Sequence, residues 1–157
     1  MRDRLWSELA GAAGYRGPAE ATAVYDAAAE MSHWHTVGVA RAAWLWLNAA
    51  WAAADAEDVA RERLCRAHAA RALEGALRDV DHIPRRHRAL VCYYTGELWR
   101  RAGDQYRAAA WFDHVEEEVT DRAEQAWLVQ AARRDGDGSG ERSAEQPNGV
   151  TVQPWYC

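Results

Sequence analysis

The sequence predicts an all-α protein, and three observations carry that prediction. Residues 89–115, ALVCYYTGELWRRAGDQYRAAAWFDHV, repeat their apolar positions at helical spacing on both sides of a Gly103-Asp104 break. A second stretch, residues 37–79, has the same helix–turn–helix outline. The apolar set is mostly Ala, Leu and Trp, with nine Trp but one Phe and two Met, so large rings packed on small Ala surfaces should build the core. At 157 residues the chain suits one domain able to bury a sizeable core.

The central hairpin is the most legible element. Cys92, Thr95, Gly96 and Trp99 share one helix; Ala108, Trp111, Phe112 and Val115 share the next. Gly103 suits the left-handed residue that ends a helix, and Asp104 suits the cap of the one that follows. Gly96 sits inside the first helix, where it costs about 1 kcal/mol relative to Ala. A second helix packed too closely for a Cβ explains it.

This pattern resembles a tetratricopeptide (TPR) repeat, which places Trp, Leu, Gly, Tyr, Ala and Phe at positions 4, 7, 8, 11, 20 and 24. With Ala89 as position 1, Gly96 is 8, Trp99 is 11, Ala108 is 20 and Phe112 is 24; Cys92, Thr95 and Val115 depart at 4, 7 and 27. With Arg41 as position 1, Trp44, Leu47, Trp51, Ala60 and Ala67 match at 4, 7, 11, 20 and 27. There Asn48 replaces Gly and Leu64 replaces Phe, and the offset between the hairpins is 48 residues rather than 34. The resemblance implies antiparallel helix hairpins stacked in a short right-handed array of about seven helices.

The other elements follow in chain order. Residues 1–15 carry Leu5, Trp6, Leu9 and Ala13 on one helical face, and Gly17-Pro18 opens a second helix to about Met31. Residues 32–36 form a connector containing His33 and His35. Residues 37–54 read as a helix apolar almost all round, hence covered on several sides, with Asp55 as cap of the helix after it. A helix from Thr120 to about Arg134 closes the domain, 1–134. Residues 135–157 read as a flexible Gly-rich acidic tail ending in Trp155, Tyr156 and Cys157.

Function is bounded more than it is named. A net charge of −5 and a pI near 5.7 argue against general nucleic-acid or acidic-membrane binding. All 19 basic residues are Arg, which reads as high-GC coding or, less commonly, guanidinium recognition. Three cysteines without CxxC spacing, no 18-residue apolar run and no signal-peptide pattern suggest a reduced cytoplasmic protein. No HExxH, GxSxG, P-loop or GxGxxG occurs, so no cofactor and no enzyme activity are expected.

Five constellations remain. The TPR resemblance implies a concave helix-A face that binds a peptide or partner helix through positions 2, 5, 9, 12 and 13. These are Leu90, Tyr93, Glu97, Arg100 and Arg101 in the later hairpin, and Ala42, Leu45, Ala49, Ala52 and Ala53 in the earlier one. Tyr93 and Glu97 stand where a chaperone-type carboxylate clamp begins with Lys and Asn, so that clamp is not expected; a solvated helix end paired Glu97 to Arg101 is the plainer alternative. His33, His35, Cys65 and His68 together offer four zinc-type ligands, and so a metal protein or enzyme as the alternative function. Residues 135–140 imitate the start of a calcium loop, but Gln146 stands where Glu belongs. Residues 85–88, Arg-Arg-His-Arg, put a basic cluster at a helix start, where it opposes the dipole and offers an anion contact. The aromatic tail suggests a further alternative, self-assembly or autoinhibition through Trp155 and Tyr156.

Taken together, Gly96, Glu97, Leu98, Arg100, Arg101, Gly103, Asp104, Ala108, Trp111 and Phe112 resemble the GELxRRxGDxxxAxxWF hairpin of a prokaryotic family of unknown function. Members of that family join a zinc-ribbon segment to a TPR-like body. The resemblance spans residues 15–119 and lacks the zinc-ribbon cysteines, so it implies the helical body and no zinc.

Overall fold

The computed structural model describes Arg4, Glu8 and residues 38–144 other than 79–82, 84 and 124. All regular structure among them is helical: α1 (Gly38–Asp55), α2 (Val59–Arg78), α3 (Arg85–Ala102), α4 (Gln105–Glu118) and α5 (Ala126–Ala144). Each helix packs on the next in sequence, and α5 also reaches α3. Apart from Arg4 and Glu8, the residues of the helices expected in 1–31, the connector with His33 and His35, and residues 145–157 lie outside the described residues.

The two turns use one physical device. Asp104 N bonds the Trp99 carbonyl at 3.0 Å and Gly103 N bonds the Arg100 carbonyl at 3.1 Å, with Gly103 at φ 94°. This pair of bonds satisfies the last carbonyls of α3 and requires a left-handed residue at Gly103. Asp104 then accepts from Arg107 N at 3.0 Å and caps α4, as expected. The α1–α2 turn repeats the bonds, Asp58 N to Ala53 O at 2.9 Å and Glu57 N to Ala54 O at 3.0 Å. There the left-handed residue is Glu57, at φ 58°.

That repetition corrects two expectations. Asp58, not Asp55, caps α2, accepting from Arg61 N at 3.1 Å. Aligning the hairpins on their caps, Asp58 to Asp104, gives an offset of 46 residues rather than 48. Ala50 then matches Gly96, Ala50 being fully buried, and Arg66 matches Phe112. Close crossing is literal at Gly96: an added Cβ would lie 2.7 Å from two ring carbons of Phe112 and 3.2 Å from the Ala108 carbonyl.

The core runs through all five helices. Trp44, Trp51 and Trp99 are buried in it among Ala69, Ala70, Ala76, Ala89 and Ala102, with Trp111 and Trp127 packed at its edge. The α1 helix is less covered than its composition suggested. Leu45 is 62% exposed and Trp46 40%, because the described part of α1 buries one stripe, holding Ala43, Trp44, Leu47, Ala50, Trp51 and Ala53. No helix among the described residues is long and apolar enough to cross a membrane.

The last helix differs from expectation at both ends. Ahead of the helix Asp121 accepts from Ala123 N at 3.0 Å, and Gln125 Oε1 accepts from Thr120 N at 2.9 Å. These side-chain bonds satisfy the backbone before α5 begins at Ala126. At the other end α5 continues to Ala144, so the division expected at residue 134 falls inside a helix.

Candidate functional site

A carboxylate bound by three helices forms the most organised polar site in the described chain. Glu8 receives Arg66 Nη2 at 2.7 Å and Arg66 Nη1 at 3.2 Å from α2, and Trp51 Nε1 at 2.8 Å from α1. From α3, Tyr94 Oη donates at 3.0 Å, and Arg101 Nη1 stands 3.8 Å away. Four donors therefore meet one carboxylate, which fills its roughly four acceptor positions. Arg66 and Tyr94 are almost wholly buried, and Glu62 holds Arg66 from behind at 3.0 Å.

Electrostatics set the protonation states. Burial pushes the Glu8 carboxyl up, but the Arg66 bonds and charge, helped by Arg101 and the Trp51 N–H, outweigh it and hold Glu8 below its ordinary range. Burial opposes the charge on Arg66, yet the bonds to Glu8 raise its pKa and keep it cationic. Burial, reinforced by the Glu8 charge, lifts the Tyr94 phenol well above its usual value. Tyr94 is thus a fixed O–H donor. The site is built to receive an anion.

Arg4 marks a second contact beside it. Its guanidinium donates to both Asp55 oxygens at 2.9 Å and to the Trp51 carbonyl at 3.3 Å, and lies 5.5 Å from the Trp51 ring centroid. Asp55 is therefore a receptor for a cation at the C-terminal end of α1, where the helix dipole also favours positive charge.

The residues expected to bind a partner fall around this receptor unevenly. Leu90, Tyr93 and Glu97 are buried, which corrects the expectation of an open face. The Tyr93 ring packs 5.7 Å from Phe112 and its hydroxyl donates to Asp135 of α5 at 2.8 Å. Burial, with the Asp135 charge, raises its pKa. Glu97 is fully buried and accepts from Arg100 Nη2 at 2.5 Å and Nε at 2.8 Å, and from Arg101 Nε at 2.8 Å. The expected Glu97–Arg101 pair is present, but as a buried one. Arg101 joins the two clusters, so Glu62, Arg66, Glu8, Arg101, Glu97 and Arg100 form one alternating series of charges. In the earlier hairpin Ala42, Leu45 and Ala52 are exposed, Ala49 is half-buried and Ala53 is buried.

Among the described residues the other constellations do not assemble. Cys65 is buried, whereas the His68 ring stacks on Trp46 at 4.2 Å and 17°, and His33 and His35 lie outside the described residues. No group of three His, Cys, Asp or Glu among the described residues is placed to hold a metal ion. Residues 135–140 are helical, which rules out the calcium-loop conformation, and Asp135 already serves Tyr93. In the basic cluster, Arg88 ties the Leu77 carbonyl at 2.8 Å and Glu118 at 3.2 Å, so it joins the ends of α2 and α4.

Arg66 escaped the sequence reading because the 48-residue offset put Leu64 opposite Phe112. The cap-to-cap offset is the signal that finds it: an arginine stands where the other hairpin has a buried phenylalanine. Glu8 carries no comparable signal, being 58 residues from Arg66 and 86 from Tyr94.

No curated protein and no solved structure matches the chain. One family does, over residues 12–137, a span that holds Trp51, Arg66, Tyr94 and Arg101 and begins after Arg4 and Glu8. Since that span is most of the sequence, the chain belongs to the bacterial family described as "Uncharacterized protein conserved in bacteria (DUF2225)".

Proposed function

We propose that this chain is a non-enzymatic scaffold whose hairpins stack in the TPR manner and whose α1–α2–α3 groove binds a peptide or helix of a protein partner in the cytoplasm. The observation that carries the reading is the carboxylate receptor itself. A TPR-type hairpin does not need a charge at the Arg66 position, because Phe112 fills the equivalent place with an apolar ring. Buried ion pairs are seldom the most stable way to fill space. A cluster of Arg66, Trp51 and Tyr94 aimed at one point is therefore better explained by recognition than by packing. Arg100 and Arg101, each partly exposed at the rim, extend the positive edge a partner would meet. Leu90, Tyr93 and Glu97 act beneath that surface, Glu97 by fixing both arginines.

The test is quantitative affinity capture with the full chain and with Arg101→Glu and Arg66→Gln variants that retain their helical circular dichroism. A specific partner retained by the wild type and lost with Arg101→Glu is the expected result. Capture that is indifferent to Arg66, Arg100 and Arg101 would refute the reading.

A further inference from the structure

We infer that the receptor reads a two-point code, a basic residue followed four positions later by a glutamate on a partner helix, and that Arg4 and Glu8 are the chain's own copy of that ligand. The inference rests on the binding-scaffold reading and names its partner class. Arg4 and Glu8 are both helical residues and are separated by four, which places them on the same side of a helix. Their two receptors are adjacent. Trp51 serves both, its carbonyl and ring facing Arg4 and its indole N–H facing Glu8.

The two contacts differ in weight. Glu8 is 11% exposed in its side chain and meets Arg66 at 3%, so this pair is desolvated. Arg4 and Asp55 are 40% and 66% exposed, so their pair is largely screened. The glutamate therefore supplies affinity, and the arginine supplies the register and direction of the bound helix. With Glu8 displaced, the series Glu62, Arg66, Arg101, Glu97, Arg100 keeps three cations against two anions, with the Trp51 and Tyr94 donors aimed at the vacated point. An uncharged or basic helix would leave those groups buried and unpaired. A partner must bring its own carboxylate, and it must compete with Glu8.

The probe is a fluorescent peptide of residues 1–15, MRDRLWSELAGAAGY, with its Glu8→Gln and Arg4→Gln versions, titrated by anisotropy into the full-length chain. The same titration is run on a full-length chain carrying both Arg4→Gln and Glu8→Gln. The parent peptide should bind the substituted chain at least about tenfold more tightly than the wild type, because the competing ligand is removed. Its Glu8→Gln version should bind about thirtyfold more weakly or worse, and its Arg4→Gln version no more than about fivefold more weakly. Equal affinity of the three peptides, or no gain on the substituted chain, overturns the inference. If the substituted chain does not fold, the ranking of the three peptides on the wild type decides, and absence of a ranking overturns it. A concentration-dependent dimer by native mass spectrometry that Glu8→Gln abolishes would also overturn it, assigning the receptor to a second copy of the chain. Failure of the peptides with partner capture by Arg101 intact would remove the two-point code while leaving the scaffold reading in place.

Discussion

Replacing Glu8 by Gln removes one charge and almost no volume, which makes it a sharp probe of the receptor. The substitution leaves Arg66 buried with Glu62 alone, at 3.0 Å, and an amide whose one oxygen can accept from at most two of the four former donors. Breaking a buried pair by removing one partner costs about 3–5 kcal/mol. Because Glu62 remains and Gln still accepts, the expected loss is about 2–3 kcal/mol, or roughly 5–10 °C in Tm for a chain of this size. Urea denaturation followed by far-UV circular dichroism measures it.

The pH dependence supplies an independent check. The folded-state pKa of Glu8 is held below the ordinary glutamate value of about 4.5. Its contribution is therefore fully present above about pH 4.5 and is lost as pH falls through the folded pKa. The stability difference between wild type and Glu8→Gln should be flat from pH 8 to about 5.5 and shrink in more acid solution. Replacing the pair together, Glu8→Leu with Arg66→Met, should recover much of the loss. A loss below about 0.5 kcal/mol, or a difference unchanged down to pH 3, would refute the argument that Glu8 is bound as a desolvated anion.

Three further outcomes are expected. Gly96→Ala should destabilise the fold by about 1–2 kcal/mol, the overlap with Phe112 exceeding the roughly 1 kcal/mol gained in helix propensity; the same urea assay checks it, and Phe112→Leu should soften the effect. Glu57→Gly should stabilise by about 0.5–1 kcal/mol, since φ 58° is costly for a residue with a Cβ; a lower urea midpoint would contradict this. Cys92, buried and with its thiol pushed up to about 12, should resist iodoacetamide at pH 8 in the native chain and react in urea; peptide mass mapping tells the two apart.

How much of this was legible in the sequence differs by element. The α3–α4 hairpin could be read almost completely, because a helix stop, a cap and an interior glycine are local signals whose physics involves few neighbours. Gly103 ends α3, Asp104 caps α4 and Gly96 sits against Phe112 as the spacing implied. The α1–α2 turn was misread by the same logic. Glu57 occupies a position where a glycine would have announced the turn, and Asp55 offered a false cap three residues before Asp58. Without that landmark the repeat register slipped by two residues and concealed Arg66. The buried state of Tyr93 and Glu97 was illegible for a different reason. It depends on Asp135 from α5 and on the two arginines folding back, not on the α3 sequence alone.

The slip in register and the nature of the site have one origin. Hairpin repeats are recognisable where each position does only its packing duty, as Phe112 does. Where a position is given another duty, the repeat pattern breaks, and the break is itself informative. Arg66, buried in place of an aromatic ring, and Asp55, turned to Arg4 instead of capping α2, are the two departures that matter in the first hairpin. They hold Glu8 and Arg4, two residues four positions apart. Arg66 puts a charge where Phe112 packs a ring, and both departures have their partners in the Arg4–Glu8 pair. Two independent irregularities of the first hairpin thus meet at one pair of residues, with Tyr94 and Arg101 of the second hairpin completing the site, and this convergence is the physical argument behind the proposed recognition.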